Sequence, residues 1–207
     1  MRSTEQTRNI LIGVDIQNDF ISGSLAVTDG EDVVSPINDV ARAVRDSGGN
    51  VVFTRDWHPS ATPHFEKWPV HCVEKTDGAA FHPALAIEEN DSIVSKGMGQ
   101  TDGYSGWEGR TADGASLETI IAPLSLKERV RVFVGGLATD YCVKATTLAI
   151  ADHFKDDGRV RTYLLRDAVR AVNLQPGDGD EALQAMLDAQ VAAITSEEAR
   201  TLVEGVA

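Results

Sequence analysis

Six short runs of apolar, mostly β-branched residues recur along the chain at wide intervals: "NILIGVDI" (9–16), "NVVFTRD" (50–56), "SIVSKG" (92–97), "RVRVFVGG" (129–136), "VRTYLLRDA" (160–168) and "VAAIT" (191–195). Runs this continuous suit strands covered on both faces, as in a parallel sheet. Between them the apolar positions change to helical spacing. Residues 31–47 place Val33, Val34, Ile37, Val40, Ala41 and Val44 on one stripe, stopped by "SGG" at 47–49. Residues 115–126, 140–154 and 178–189 follow the same pattern. Strand alternating with helix predicts a doubly wound α/β domain around a mainly parallel six-stranded sheet. No repeat or linker divides it, so residues 1–207 are read as one domain, with 1–8 as a flexible leader.

In such sheets ligands bind beyond the carboxyl ends of the strands. Asp15 ends the first run, Asp56 the second and Lys96 the third, while "GGLATDYC" follows the fourth. These polar groups, distant in sequence, are expected to converge. The segment 57–91 is long and rich in Pro, His and aromatic residues, which marks it as functional or as carrying short helices of its own.

Composition narrows the classes. The 42% hydrophobic and 25% charged content is ordinary for a soluble globular chain of 207 residues. A formal charge of −13 opposes a nucleic-acid or anionic-membrane partner. Two cysteines make no disulfide framework, and the polar start with one short apolar run is neither a signal peptide nor a membrane span. A cytoplasmic setting is expected.

Three constellations carry chemistry. Cys142 follows Thr139 and Asp140, either of which suits the N-cap of a helix reaching about Phe154. A first-turn position there would favour a thiolate, and Gly135 and Gly136 permit a tight turn with amides free for an oxyanion. A packed structural cysteine is the plain alternative. Asp15 to take a thiol proton and Lys96 to favour the anion would complete a nucleophile-activating set. Second, Asp56, His58, His64 and His71 form a suitable shell for one divalent transition ion, Zn, Fe or Mn, against the plain reading of loop histidines clustered by chance. His82 and His153 lack such partners and are read as structural or exposed. Third, Phe20, Trp57, Trp68, Tyr104 and Trp107 gather near the same edges, either as core or as the walls of a flat ring pocket.

These residues carry a resemblance. "VDIQNDFISGSLAV" (14–27), "TRDWHPSATPHF" (54–65), "WPVHCV" (68–73), "SKG" (95–97), "DGYSGW" (102–107) and "GGLATDYCV" (135–143) resemble the nicotinamidase/pyrazinamidase branch of the isochorismatase-like cysteine hydrolases. The resemblance spans about 9–200 and implies that family's three-layer α/β/α fold. It implies Cys142 as nucleophile, Asp15 as general base and Lys96 as third member. It also implies a cis peptide between Leu137 and Ala138 that turns the amides of Ala138 and Cys142 toward an oxyanion. Asp56, His58 and His71 match the branch's metal ligands, and His64 matches a ligand found in part of it. Phe20, Trp68, Tyr104 and Leu137 fall where the family lines its substrate pocket, leaving Cys72 as a packed neighbour. The implied substrate is nicotinamide, in NAD salvage, with pyrazinamide as a second amide. Family members occur as monomers and as assemblies, so a homo-oligomer is compatible. Another small-amide hydrolase, or a binding domain without catalysis, is the competing reading.

Overall fold

The computed structural model describes residues 6–99 and 103–205. Its sheet has six strands, β1 (Gln6–Val14), β2 (Asn50–Asp56), β3 (Ser92–Lys96), β4 (Glu128–Leu137), β5 (Val160–Arg170) and β6 (Ala192–Ile194). Their order is β3-β2-β1-β4-β5-β6, with every neighbouring pair parallel. The helices are α1 (Asn18–Ile21), α2 (Val34–Asp46), α3 (Leu117–Ile121), α4 (Lys144–His153, entered through a π-helical turn Thr139–Val143), α5 (Asp178–Asp188) and α6 (Ser196–Glu204).

The apolar runs divide by parity, as buried parallel strands must. Leu11, Val51 and Phe53 meet Ile37, Val40 and Val44 of α2 and Ala199 and Val203 of α6. Ile10, Ile12 and Val14 meet Leu117 and Ile121 of α3, Ile150 of α4 and Met186 of α5 on the opposite face. Each such side chain, fully buried, contributes roughly 1.5–3 kcal/mol of hydrophobic stabilisation. The result is the expected three-layer, doubly wound arrangement.

Several boundaries differ from the sequence expectation. β1 starts at Gln6, so the flexibility expected of 1–8 does not hold for its last three residues: Gln6, Thr7 and Arg8 pair with Glu128, Arg129 and Val130, and residues 1–5 lie outside the described residues. Arg8 also donates to the carbonyls of Ile120, Ile121 and Ala122, capping α3. That helix is only five residues long, because Pro123 holds Ala122 in an extended conformation (ψ 131°). α6 was not expected, although its Thr195–Glu198 capping box is a readable start signal.

The order in which strands join the sheet reverses between β1 and β4, and the crevice opens there. At this switch Gly136 (φ 120°) lies so close to β1 that a Cβ would collide with the Val14 carbonyl. Only glycine lets the two strand ends approach so closely.

Candidate active site

Four strand ends deliver four polar side chains to this crevice. Asp15 follows β1 with φ 50°, a left-handed backbone that aspartate tolerates better than most residues. Asp56 ends β2, Lys96 ends β3, and the two are register partners. Cys142 arrives on the turn after β4. The Lys96 ammonium ties them together: Nζ lies 2.8 Å from Asp15 Oδ2, 2.5 Å from Asp56 Oδ1 and 3.4 Å from Cys142 Sγ, and donates to the Gly103 carbonyl at 3.1 Å. Thr54 Oγ1 donates to Asp15 Oδ1 at 2.6 Å. All four charged or thiol groups are buried.

The electrostatics follow from that burial. Lys96 is desolvated, which alone would favour the neutral amine, but Asp15 and Asp56 outweigh this and hold its pKa well above the usual lysine range. Burial likewise opposes charge on Asp56, yet the Lys96 ammonium holds its carboxyl well below the usual range. Asp15 goes the other way. Burial raises its pKa, and the nearby Asp56 adds to this, against the pull of Lys96. Burial also drives the Cys142 thiol well above its usual value despite Lys96, and Asp15 and Asp56 push it further. Burial thus outweighs the help that a first-turn position and Lys96 give a thiolate. It favours the protonated thiol, with the Asp15 carboxylate beside it, and a base is needed at the moment of attack.

The Cys142 turn also differs in detail. Neither Thr139 nor Asp140 is the N-cap; that position belongs to Ala138, and the turn is π-helical. The Ala138 carbonyl accepts from the N–H groups of Tyr141 and Val143, one on each side of Cys142. The peptide from Leu137 to Ala138 is cis, as the resemblance implies. The Asp140 carboxylate instead reaches sideways to the N–H groups of Val172 and Asn173.

Beside this centre stand the histidines. A ring nitrogen from each of His58, His64 and His71 lies within 4.8 Å of the others, all three buried. Asp56 Oδ2 is 3.6 Å from His58 Nε2 and 3.8 Å from His71 Nε2. Those gaps are too long for hydrogen bonds but near the roughly 3.4 Å edge of a tetrahedron with 2.1 Å metal–ligand bonds. His58 Nδ1 lies 2.9 Å from the Gly97 carbonyl and His71 Nδ1 2.7 Å from that of Pro69. A carbonyl only accepts, so each Nδ1 carries hydrogen, which leaves each Nε2 as the atom that can turn a lone pair inward to a metal ion. Burial lowers the His71 pKa, which keeps that ring neutral. His58 Nε2 is buried with no hydrogen-bond partner among the described residues. An orphaned acceptor facing a carboxylate is what a cation would satisfy, and the residues fit a divalent metal ion. Gly97 (φ 68°) makes the cradle possible, since a Cβ there would meet the His58 ring at 2.5 Å.

The two centres share one cleft, lined by Phe20, Leu25, Asp56, His64, Trp68, His71, Tyr104, Ala138, Tyr141, Cys142 and Val172. Phe20, Trp68 and Tyr104 are thus where the sequence places them. Trp68 Nε1 donates to Tyr104 Oη at 2.9 Å, and Tyr141 meets Trp68 edge-on. Leu137 does not line the cleft. Its side chain is fully buried in the α2-side core, near Gly30, so its part in the site is confined to its backbone. Trp57 and Trp107 also lie elsewhere, Trp57 under the Arg55 guanidinium and Trp107 against His153 and Phe154. His153 is half-exposed beside Glu118, and the backbone N–H of His82 donates to Ile16, consistent with structural roles.

Sequence reasoning passed over the supports. Gln17, fully buried, clamps the Asp56 backbone through both its N–H and its carbonyl, and also bonds Ala79. The Asp19 carboxylate accepts the Cys72 N–H. Both belong to "VDIQNDF", whose polar positions inside an apolar stretch were the available signal.

Residues 9–198 match the Isochorismatase domain. The chain belongs to the isochorismatase family. Within that family it is 40% identical over 144 residues to the nicotinamidase/pyrazinamidase of Mycobacterium tuberculosis, covering 66% of this chain and 75% of the relative. It is 32% identical to the nicotinamidase of Escherichia coli, covering 85% of this chain and 89% of the relative. The zinc complex of the pyrazinamidase of Pyrococcus horikoshii superposes with a TM-score of 0.75 at 35% identity, over 91% of this chain and 99% of that one. The isochorismatase fold therefore comes here with amidohydrolase relatives along nearly its whole length.

Proposed function

We propose that this protein is a nicotinamidase, hydrolysing nicotinamide to nicotinate and ammonia through a cysteine thioester and accepting pyrazinamide in the same cleft. The observation that carries this reading is the shared carboxylate. Asp56 gives one oxygen to Lys96 of the thiol centre and turns the other toward the histidines, so both centres face one aromatic-walled cleft. A ring seated between them can present its nitrogen to one and its carboxamide to the other.

Asp15 accepts the Cys142 proton as Sγ attacks the carboxamide carbon. The elevated pKa values of both groups suit a concerted transfer rather than a preformed ion pair. The tetrahedral oxyanion rests on the amides of Ala138 and Cys142. Collapse breaks the C–N bond, the Asp15 proton goes to the leaving amine, and ammonia departs. Water, deprotonated by Asp15, then adds to the thioester and releases nicotinate and the thiol. Lys96 holds both carboxylates in place and steadies negative charge as it moves between sulfur and oxygen. Asp56, His58, His64 and His71 would hold a divalent ion, zinc, iron or manganese, which supplies a Lewis-acid seat for the pyridine nitrogen. No helix among the described residues is long and apolar enough to cross a membrane, and a cytoplasmic place in NAD salvage suits the product.

The test is ammonia release from nicotinamide, pyrazinamide and a panel of unrelated small amides, with Cys142→Ala as control and metal content measured on the same sample. Preference for an unrelated amide would overturn the substrate assignment. Turnover by Cys142→Ala would overturn the mechanism.

A further inference from the structure

Asp140 has no part in the chemistry above, yet it is a buried carboxylate two residues from the nucleophile. Its Oδ1 accepts the Val172 N–H at 2.9 Å and its Oδ2 the Asn173 N–H at 2.8 Å. The position of these bonds is informative. β4 and β5 stay paired up to Leu137 and Arg170, after which β4 turns away into the Cys142 turn and can offer β5 no further carbonyls. The two carboxylate oxygens take over from the backbone, extending the β4–β5 connection past the end of the sheet. Val172 is thereby held where it lines the cleft, while Asn173, in the left-handed region at φ 53°, turns the chain back and accepts the Gly179 N–H.

The two ends of this link are not equally dependent on it. Cys142 is fixed independently, by the Ala138 carbonyl that accepts from both flanking residues and by Lys96 at the sulfur. Val172 lies beyond the last β4–β5 pair, so its backbone depends on Asp140 for its tie to the nucleophile turn. We propose that Asp140 is a positioning residue that sets substrate fit: it holds the Val172 wall of the cleft in register with the Cys142 turn, and acts on ring binding rather than on the reactivity of the thiol.

The proposal rests on the nicotinamidase reading for its substrate, but the link itself can be tested without substrate. Asp140→Asn keeps the shape and replaces one acceptor with an amide that faces a donor. Losing one charge-assisted hydrogen bond corresponds to about a tenfold effect. The expected result is a KM for nicotinamide raised about tenfold, with kcat and the rate of Cys142 alkylation by iodoacetamide changed far less. Amide hydrogen exchange at Val172 and Asn173 should be faster than in the wild type, and that readout stands even if nicotinamide is not the substrate. Val172→Ala, which removes no hydrogen bond, should give the same KM-dominated change. The double variant should be no worse than the poorer single one, because both act through one wall. A fall in kcat or in alkylation rate at unchanged KM would overturn the proposal, as would unaltered exchange at Val172 and Asn173. If Asp140→Asn does not fold, a Val172→Ala enzyme with wild-type KM overturns it alone.

Discussion

Cys72 and Cys142 are both buried, both free thiols, and both pushed above the usual thiol pKa by burial first. By those criteria they are indistinguishable, and Cys72 even stands next to a histidine of the metal cluster. Their neighbours separate them. Cys72 packs in the α2-side core, with its N–H held by Asp19 and its sulfur 3.9 Å from the Gly78 carbonyl. Cys142 has an ammonium at 3.4 Å, a neighbouring carboxylate whose own pKa is raised, and a place on the cleft wall. Burial alone makes a thiol inert; burial beside a carboxylate and a fixed cation makes one that can be activated.

Cys142→Ala breaks the comparison most strongly. It is expected to cost about 10⁴-fold or more in ammonia release, as loss of a nucleophile does, with circular dichroism unchanged. Asp15→Asn comes next, at about 10²–10⁴-fold for a lost general base. It also sharpens the electrostatic argument. The folded pKa of Asp15 is raised, and the reaction needs the unprotonated carboxylate. In the wild type kcat/KM should therefore fall as pH drops through a value above the ordinary carboxylate range. The acid limb should vanish from the residual activity of Asp15→Asn, and a limb that persisted would assign the base elsewhere.

The residues of the two clusters were legible in the sequence because ionisable groups at the ends of apolar strands have few plain explanations. Asp15, Asp56 and Lys96 each stop a strand, and a doubly wound sheet brings such ends together whatever their separation in sequence. What holds them was not legible. Gln17 is an uncharged side chain whose meaning lies in the Asp56 backbone, thirty-nine positions away. Asp140 looked like a helix cap, since a carboxylate before a helix usually is one; only the approach of Val172 and Asn173 gives it a different partner. Leu137 was read as a pocket wall, but a strand-end residue has two faces, and core packing took the side chain. The π-helical turn has no local sequence signature. In the fold, six strands and the longer helices followed from periodicity, whereas α3 was shortened by one proline.

The metal cluster provides a smaller and separate effect. His71→Ala removes one Nε2 from the group that Asp56 faces. Disturbing even the outer partners of a ligand typically costs 10–100-fold in metal affinity, so direct loss should cost at least about tenfold. The checks are metal content by plasma emission and KM for nicotinamide. Stripping the metal by chelation should likewise raise KM while leaving the circular dichroism intact, since the core clusters on both faces of the sheet are complete without it. Wild-type turnover in fully metal-free protein would separate the two clusters and remove the anchoring role.

Cys72→Ala should have the smallest effect, and it tests the other half of the comparison. The backbone there is left-handed (φ 44°) and its N–H is bound to Asp19; alanine keeps that N–H, so the link to α1 survives. What is lost is one fully buried sulfur, leaving a small cavity in the α2-side core. The expected stability loss is about 1–3 kcal/mol, read from the midpoint of denaturant unfolding, with turnover within about twofold of wild type. Alkylation of the folded protein should modify one thiol in the wild type and still one in Cys72→Ala, since Cys142, the proposed nucleophile, is present in both. A folded Cys72→Ala protein that lost turnover would mean that a thiol's neighbours, as read from this site, do not decide which cysteine reacts.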